Sequence, residues 1–219
     1  MKLIVSALSS LLLFFSLSAY SQVKDHSWDL VSDRDAIAIY TKDTDISFKA
    51  IRAEMLINGS LEHLLYYLNE AAIYKDWLYS CEESVELKRI NKDEFYYHVV
   101  VDLPSPIYNR DLVVKCRQWT DAEGTIYSES VATPDFIPEK EHTVRMMTYT
   151  SSWIIKTRPD GLLAVTYESL GDPGGALPAW LVNIACTRGP IRTMRKLKEL
   201  VEAKSSESVK AAVVATSFY

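Results

Sequence analysis

An α+β fold is predicted, in which a curved antiparallel sheet packs against one long C-terminal helix. Three observations predict it: strand-like stretches fill the middle of the chain, short links join them, and a helical apolar pattern follows near the end. Short links between neighbouring strands favour antiparallel pairing. Since a twisted sheet of about eight or nine strands tends to curl, a helix lying in its concavity can enclose a cavity.

The first 21 residues are predicted to be a secretory signal peptide. Lys2 supplies a basic start, Leu3–Leu17 is almost wholly apolar, and Ala19 and Ser21 are small residues at the positions that a signal peptidase reads. We therefore expect cleavage between Ser21 and Gln22 and an exported protein, either periplasmic or secreted. An uncleaved anchor is the alternative, but an apolar run of roughly 15–17 residues is short for a spanning helix, which needs about 20.

The composition argues against a nucleic-acid partner and against a metal or disulfide framework. The 219 residues carry a net charge of −5, whereas nucleic-acid binding normally needs a basic surface. A hydrophobic share of 48% suffices for a sizeable core. Cys81, Cys116 and Cys186 are odd in number and widely spaced, so we interpret them as small buried side chains, with their disulfide state left open.

The first elements after the leader are two or three strands and two short helices. Strand patterns cover 36–42 and 47–58, separated by a turn signal at 43–45. Ser60 is the expected N-cap of the first helix, and a second short helix is expected at 71–77. The apolar positions of the first helix, at helical spacing, are Leu61, Leu64, Leu65 and Leu68.

Six further strands follow, joined mostly by short polar links. They are expected at Glu82–Ile90, Glu94–Val101, Leu112–Trp119, Thr125–Val131, Val144–Thr157 and Leu162–Leu170.

A long amphipathic helix opens at Gly174-Gly175 and should bend at Gly189-Pro190, because Pro190 cannot donate to the carbonyl of Cys186. The folded domain is expected over residues 22–203, with 204–219 as a flexible tail. One apolar stripe runs along the helix and consists of Leu177, Leu181, Ile184, Ile191, Met194, Leu197 and Val201.

Five local motifs occur in one order along the chain. They are Trp28-Asp29-Leu30 with Ile37–Thr41, then Tyr74–Trp77, Leu103–Asp111, Arg145 and Gly171–Asn183. Over roughly residues 25–203 they resemble the START (steroidogenic acute regulatory protein-related lipid-transfer) domain family, nearest to its phosphatidylcholine-transfer-like branch. The resemblance implies a helix-grip fold, a tunnel holding one lipid, and binding or transfer without covalent chemistry or cofactor. It also implies a monomer that touches membrane surfaces transiently.

Strand alternation selects candidates for the cavity. Lys115 and Arg117 should face water, so the alternate positions of their strand should face inward. Each inward residue is expected either to line a cavity or to fill a core. The candidates are Tyr97, Val99, Val101, Leu112, Val114, Cys116, Tyr127, Met146, Thr148, Tyr167, Val182, Cys186, Met194 and Leu197.

A structural corner is predicted where two prolines precede Asn109, Arg110 and Asp111. Adjacent residues of a strand point to opposite faces, so Arg110 and Asp111 should pair with other groups. Arg145 is expected to be buried in an ion pair, with Asp111 or Glu168 as its partner.

The resemblance also indicates the kind of lipid. Phospholipid- and sterol-carrying relatives often have a basic residue at the position of Cys116, and some sterol carriers have an acidic one near Tyr97. Since burying an unpaired charge is costly, a neutral or weakly polar lipid is expected, with Tyr97 or Thr148 offering a hydroxyl.

Two other functions stay open. Helix-grip relatives include polyketide cyclases, but the four histidines are scattered without metal-ligand spacing, and His98 is expected on the outer surface. A partner-binding module with a filled core is the other alternative. The basic residues of the long helix either dock on anionic lipid or form a solvated face; they are Arg188, Arg192, Arg195, Lys196 and Lys198.

Overall fold

The computed structural model describes residues 27–216, with side chains placed except at 179, 180, 183, 185 and 209–216. The predicted signal peptide lies outside the described residues. The strands are β1 (Asp29–Arg34), β2 (Ile37–Lys42), β3 (Ala50–Ile57), β4 (Cys81–Asn91), β5 (Glu94–Val101), β6 (Asn109–Thr120), β7 (Ile126–Ala132), β8 (Thr143–Arg145), β9 (Thr148–Thr157) and β10 (Leu163–Asp172). The helices are α1 (Leu61–Asn69), α2 (Ala179–Cys186) and α3 (Arg188–Thr216), with 3₁₀ helices at Ala71–Asp76 and Pro134–Phe136.

The described strands form one sheet in the order β1-β2-β3-β10-β9-β7-β6-β5-β4. All neighbours along this path are antiparallel, and the short β8 adds to β6 in parallel. The predicted α+β helix-grip architecture is confirmed. No helix within residues 27–216 is long and apolar enough to span a membrane.

Helix α3 closes the concave face of the sheet. Its residues Met194, Leu197 and Val201 are buried against the inner side chains of the strands. The backbone at Gly59, just after β3, lies very close to α3. A Cβ added to Gly59 would lie 2.8 Å from Val201 Cγ1. A larger residue at position 59 would push the helix away from the sheet.

The predicted bend of the C-terminal helix is a break, and it lies at Thr187 rather than at Gly189-Pro190. Pro190 falls in the first turn of α3, where backbone N–H groups have no intrahelical partner. Its missing donor therefore costs α3 no helical hydrogen bond.

Helix α3 continues beyond residue 203, where the folded domain was expected to end. Ser205 Oγ accepts a hydrogen bond of 2.9 Å from Ser60 N, and Lys204 Nζ lies 3.6 Å from the centre of the Tyr66 ring. His63 Nδ1 also lies 2.9 Å from Ser205 Oγ. The first turn of the expected tail is therefore packed on the N-terminus of α1.

A buried polar network on the outer face of the sheet connects the sheet to the loop that covers it. Arg145 Nε donates to Asp111 Oδ2 over 2.8 Å, and His98 Nε2 lies 3.1 Å from the same oxygen. Of the two partners expected for Arg145, the structure has Asp111, whereas Glu168 is paired with Arg52. Arg145 also donates to three backbone carbonyls of the covering loop, at Pro134, Ile137 and Pro138.

The expectation that His98 is a surface residue is wrong. It does point to the outer face, but it is 5% exposed rather than a surface residue. The loop around Phe136 covers this part of the sheet, since Phe136 stacks on Tyr96 with 4.2 Å between ring centres. Sequence alternation gives the face of a strand and does not say whether a loop lies on it.

The ion pair makes the stability of the protein depend on pH. Burial raises the pKa of Asp111, but hydrogen bonds from Arg145 and His98 outweigh it, so the pKa lies below its ordinary value. The resulting stabilisation is full above the unfolded-state pKa of about 3.9 and is lost as the pH falls through the folded-state pKa.

We expect Asp111→Ala to lower the free energy of unfolding by about 3–5 kcal/mol, because it leaves a buried guanidinium without its counter-ion. Urea unfolding at neutral pH measures this. Glu83→Ala is the control, since the pair of Glu83 with Lys140 is exposed and should contribute about 1 kcal/mol or less. Equal effects of the two substitutions would contradict the assignment.

Candidate ligand-binding cavity

A cavity of about 580 Å³ lies between the sheet and the C-terminal helices. This volume is within the range of roughly 300–1,000 Å³ found for small-molecule sites. Its walls come from the inner face of the central strands, from the 3₁₀ helix at Ala71–Asp76 with the residues after it, and from α2 and the start of α3. Most of the lining side chains are apolar or aromatic.

Aromatic rings in edge or tilted contact form one wall. Trp77 lies between Tyr74, at 5.2 Å, and Trp153, at 6.3 Å between ring centres. Trp153 in turn contacts Tyr167 at 4.5 Å, and Tyr74 contacts Tyr97 at 5.1 Å. Such contacts fix the rings relative to one another, so this wall keeps its shape without a ligand filling the space.

The floor is a row of small polar residues that crosses four adjacent strands. Cys116 of β6 pairs in register with Ser130 of β7, Ser130 with Ser151 of β9, and Ser151 with Ser169 of β10. Ser128 lies beside this row, 3.3 Å from Cys116 Sγ. Because these side chains are short, the floor lies below the aromatic residues on either side, and the cavity deepens there.

The floor is polar but uncharged. The hydroxyls of Tyr149 and Tyr167 are 3.0 Å apart, and the paired Ser151 and Ser169 lie between these tyrosines along the two strands. Burial raises the pKa of Tyr97 and of Tyr149 well above the ordinary tyrosine value. These hydroxyls therefore stay protonated at neutral pH.

Charged residues in the lining are found at the rim or are already bonded. Lys49 and Asp102 are exposed. Arg110 is buried, but its guanidinium donates to the backbone carbonyls of Tyr108, Pro173 and Gly174. Two of these bonds, of 2.7 Å and 2.9 Å, hold the turn that leads into α2. Gly174 in that turn has φ +67°, a conformation that favours glycine.

Ten of the fourteen sequence-predicted cavity residues line this space. Their contact with a ligand stays a prediction. They are Tyr97, Val99, Val101, Leu112, Cys116, Met146, Tyr167, Val182, Cys186 and Met194.

Val114 and Leu197 have no exposed surface and belong to the solid core beside the cavity. The sequence pattern correctly predicted that both side chains face inward, but an inward position alone does not distinguish a core residue from one that lines a cavity. Only the positions of the facing elements decide this.

Thr148 and Tyr127 point away from the cavity, contrary to expectation. The strand predicted over residues 144–157 is interrupted after Arg145, which shifts the alternation so that Tyr149 faces inward and Thr148 is exposed. Tyr127 stacks on Trp119 at 5.3 Å on the outer face. The charge of Glu129 could have shown this. Glu129 should face water, and Tyr127, two positions away on β7, lies on the same outer face.

The serines of the floor were not predicted as lining residues, and neither were Tyr74, Trp77 and Trp153 of the aromatic wall. Ser128 and Ser130 alternate with charged Glu129, so the pattern contained the information, but small polar residues do not suggest an interior. Tyr74 and Trp77 lie in and after a 3₁₀ helix of six residues, which is too short to show a periodic pattern.

The sheet, the closing helices and the enclosed aromatic cavity define a helix-grip binding domain. The chain belongs to the START domain family, whose family model matches residues 16–205.

Similar proteins agree with this assignment. The chain is 27% identical over 178 residues to an uncharacterized protein of Pseudomonas aeruginosa, covering 81% of this chain and 88% of that protein. It is 28% identical over 187 residues to the phosphatidylcholine transfer protein of Bos taurus, covering 81% and 84%. Among solved structures, the STAR-related lipid transfer protein from Xanthomonas axonopodis superposes with a TM-score of 0.73 at 26% identity, covering 80% of this chain and 98% of that one.

We expect Arg110→Met to loosen the turn into α2, because it removes the donors that hold the Pro173 and Gly174 carbonyls. The free energy of unfolding should fall by about 1–3 kcal/mol, and amide hydrogen exchange should accelerate in residues 172–178. Arg117→Met, at an exposed position of the same strand, is the matched control. Unchanged exchange in the turn would contradict this role of Arg110.

Proposed function

We propose that the protein binds one lipid, or a comparable hydrophobic molecule, inside the cavity and exchanges it at membrane surfaces. The observation that carries this proposal is the unfilled space of about 580 Å³ with an aromatic wall and an uncharged floor. An apolar molecule that leaves water for such a space gains about 25 cal/mol for each Å² of apolar surface it buries. The names of the bovine and Xanthomonas axonopodis relatives, which state lipid transfer, support the same function.

We propose binding without covalent chemistry, in preference to a cyclase-type enzyme. The described lining contains no histidine and no glutamate, and its one carboxylate, Asp102, lies at the rim. Burial raises the pKa of the Cys116 and Cys186 thiols, so neither is activated as a thiolate nucleophile. Within residues 27–216 no cluster of three or more metal-ligating side chains is present. A partner-binding module with a filled core is less well supported, because side chains do not fill the space of about 580 Å³ under the helices.

The start of α3 is our candidate for membrane contact by a monomer. Arg188, Arg192 and Lys196 are exposed there, and the Arg192 guanidinium lies 4.9 Å from the ring of Tyr79, which lines the cavity. The other basic residues of this stretch have acidic partners, Asp35 for Arg195 and Glu202 for Lys198. Cations near anionic headgroups contribute about 1 kcal/mol each, enough together to orient the cavity entrance toward a membrane.

We expect native mass spectrometry of the purified protein to show a discrete added mass that disappears after organic extraction. Ser151→Trp should abolish that mass, because an indole would occupy the floor of the cavity. Thr150→Trp is the control, since Thr150 is exposed on the opposite face of the same strand.

Circular dichroism and thermal unfolding should show that both variants are folded. The lipid-binding function is contradicted if the wild-type protein has a clean apo mass that persists after incubation with mixed lipid vesicles. Retention of full ligand occupancy by a folded Ser151→Trp variant would instead place the ligand outside this cavity.

We also propose export with cleavage between Ser21 and Gln22. Expression of the full chain in a Gram-negative bacterium should yield periplasmic protein whose N-terminal residue is Gln22, as read by intact mass. Protein retained in the cytoplasm or the membrane fraction with an uncut N-terminus would show that residues 1–21 are not a cleaved signal.

A further inference from the structure

The side chains of Tyr149 and Tyr167 lie along the inner face of the sheet toward each other. Tyr149 of β9 pairs in register with Gly171 of β10, which is four positions from Tyr167. A strand rises about 3.3 Å per residue, so about 13 Å of β10 separate Gly171 from Tyr167. The two tyrosine hydroxyls nevertheless lie 3.0 Å apart. Both phenol rings must therefore lean along the strands, one from each end of this interval.

The two phenols form a bridge over one end of the cavity floor. The paired Ser151 and Ser169 lie midway between Tyr149 and Tyr167 along β9 and β10. Burial raises the pKa of Tyr149, and hydrogen bonding from Ser151 opposes the shift, so the phenol oxygen lies beside this serine. We call the side chains of Tyr149 and Tyr167 the tyrosine bridge. A ligand that reaches this end of the floor meets the tyrosine bridge before it meets the serines.

The tyrosine bridge is accessible from the cavity. Both tyrosines line the cavity and are half-buried. The preceding inward residues of β10, Leu163 and Val165, are 1% and 2% exposed and belong to the solid core. The change from solid core to open space along β10 therefore falls at the tyrosine bridge.

Gly171 allows the ring of Tyr149 to lie low on the sheet. A Cβ added to Gly171 would lie 3.0 Å from Tyr149 Cδ2 and 3.1 Å from Met146 Cε. The backbone carbonyl oxygen of Thr148 would lie 3.3 Å away on the paired strand. Since the sheet leaves the added methyl group little room, the ring of Tyr149 would have to rise into the cavity.

We propose that the tyrosine bridge determines ligand specificity by limiting the length of the chain that the cavity accepts, and that Gly171 sets the height of the bridge. This inference rests on the proposed lipid-binding function. Each methylene group that a chain buries tightens binding about fourfold. This gain stops at the length at which the chain meets the tyrosine bridge, because a close-packed wall leaves no further space.

The test is calorimetric titration of the delipidated protein with saturated 1-monoacylglycerols, from octanoyl to eicosanoyl, delivered from cyclodextrin. In the wild-type protein the affinity should stop rising at one chain length. Tyr149→Ala should move this limit to chains about four methylene groups longer, because the space of one phenol becomes available to a close-packed chain. Gly171→Ala should shorten the limit by about one methylene group, because the added methyl group lifts the Tyr149 ring.

Tyr127→Ala is the matched control, since it removes a tyrosine from the outer face of β7 and should leave the limit unchanged. Circular dichroism shows whether each variant is folded. If Tyr149→Ala does not fold, Gly171→Ala decides, since it keeps both tyrosines. Native mass spectrometry adds a measurement without a chosen probe, because heavier ligands should co-purify with Tyr149→Ala than with the wild-type protein.

Three outcomes would overturn the proposal, and they differ in what else they contradict. An unchanged limit in folded Tyr149→Ala or Gly171→Ala protein would place the ligand away from the tyrosine bridge while leaving lipid binding intact. Shifts of the same sign in both variants, or an equal shift in Tyr127→Ala, would indicate a general loosening of the fold. Failure of every monoacylglycerol to bind the wild-type protein, together with a clean apo mass of the purified protein, would reject the proposed function itself.

Discussion

Two adjacent residues of β6 hold both faces of the sheet to the segments that cover them. Arg110 points inward and binds the backbone carbonyls of the turn into α2, whereas Asp111 points outward and binds Arg145 and His98. Because neighbouring strand residues face opposite ways, one dipeptide fixes the closing helices on one side and the covering loop on the other. The placement of α2 at the cavity depends on the bonds that Arg110 makes.

The cavity stays open because its floor and its wall are built from residues of very different size. Serine and cysteine side chains along Cys116, Ser130, Ser151 and Ser169 are too short to reach the closing helices. The aromatic rings beside them hold one another through mutual contacts. Elsewhere Leu64, Leu197 and Val114 fill the interior completely, so the protein has a solid core next to a hollow one.

Stability and binding are therefore assigned to different parts of the inner face. The solid part, under α1 and the stretch of α3 from Leu197 to Val201, buries apolar side chains and contributes to the folding free energy. The hollow part leaves apolar surface uncovered by protein atoms, which favours an apolar guest. Such a division suits a protein that binds a hydrophobic molecule in its interior.

The sequence by itself determined the α+β class, the order of the main strands and helices and most of the inward-facing positions, and it limited the partner of Arg145 to Asp111 or Glu168. It could do so because alternation with a period of two and apolar spacing of 3.6 residues are local properties. Where a strand is interrupted, as after Arg145, the alternation shifts, and Thr148 and Tyr149 exchange sides. Whether an inward residue lines a cavity or fills a core, and whether His98 is covered, depends on segments distant in the chain. Only the tertiary structure decided these points, because they are set by which surfaces meet and how much space remains between them.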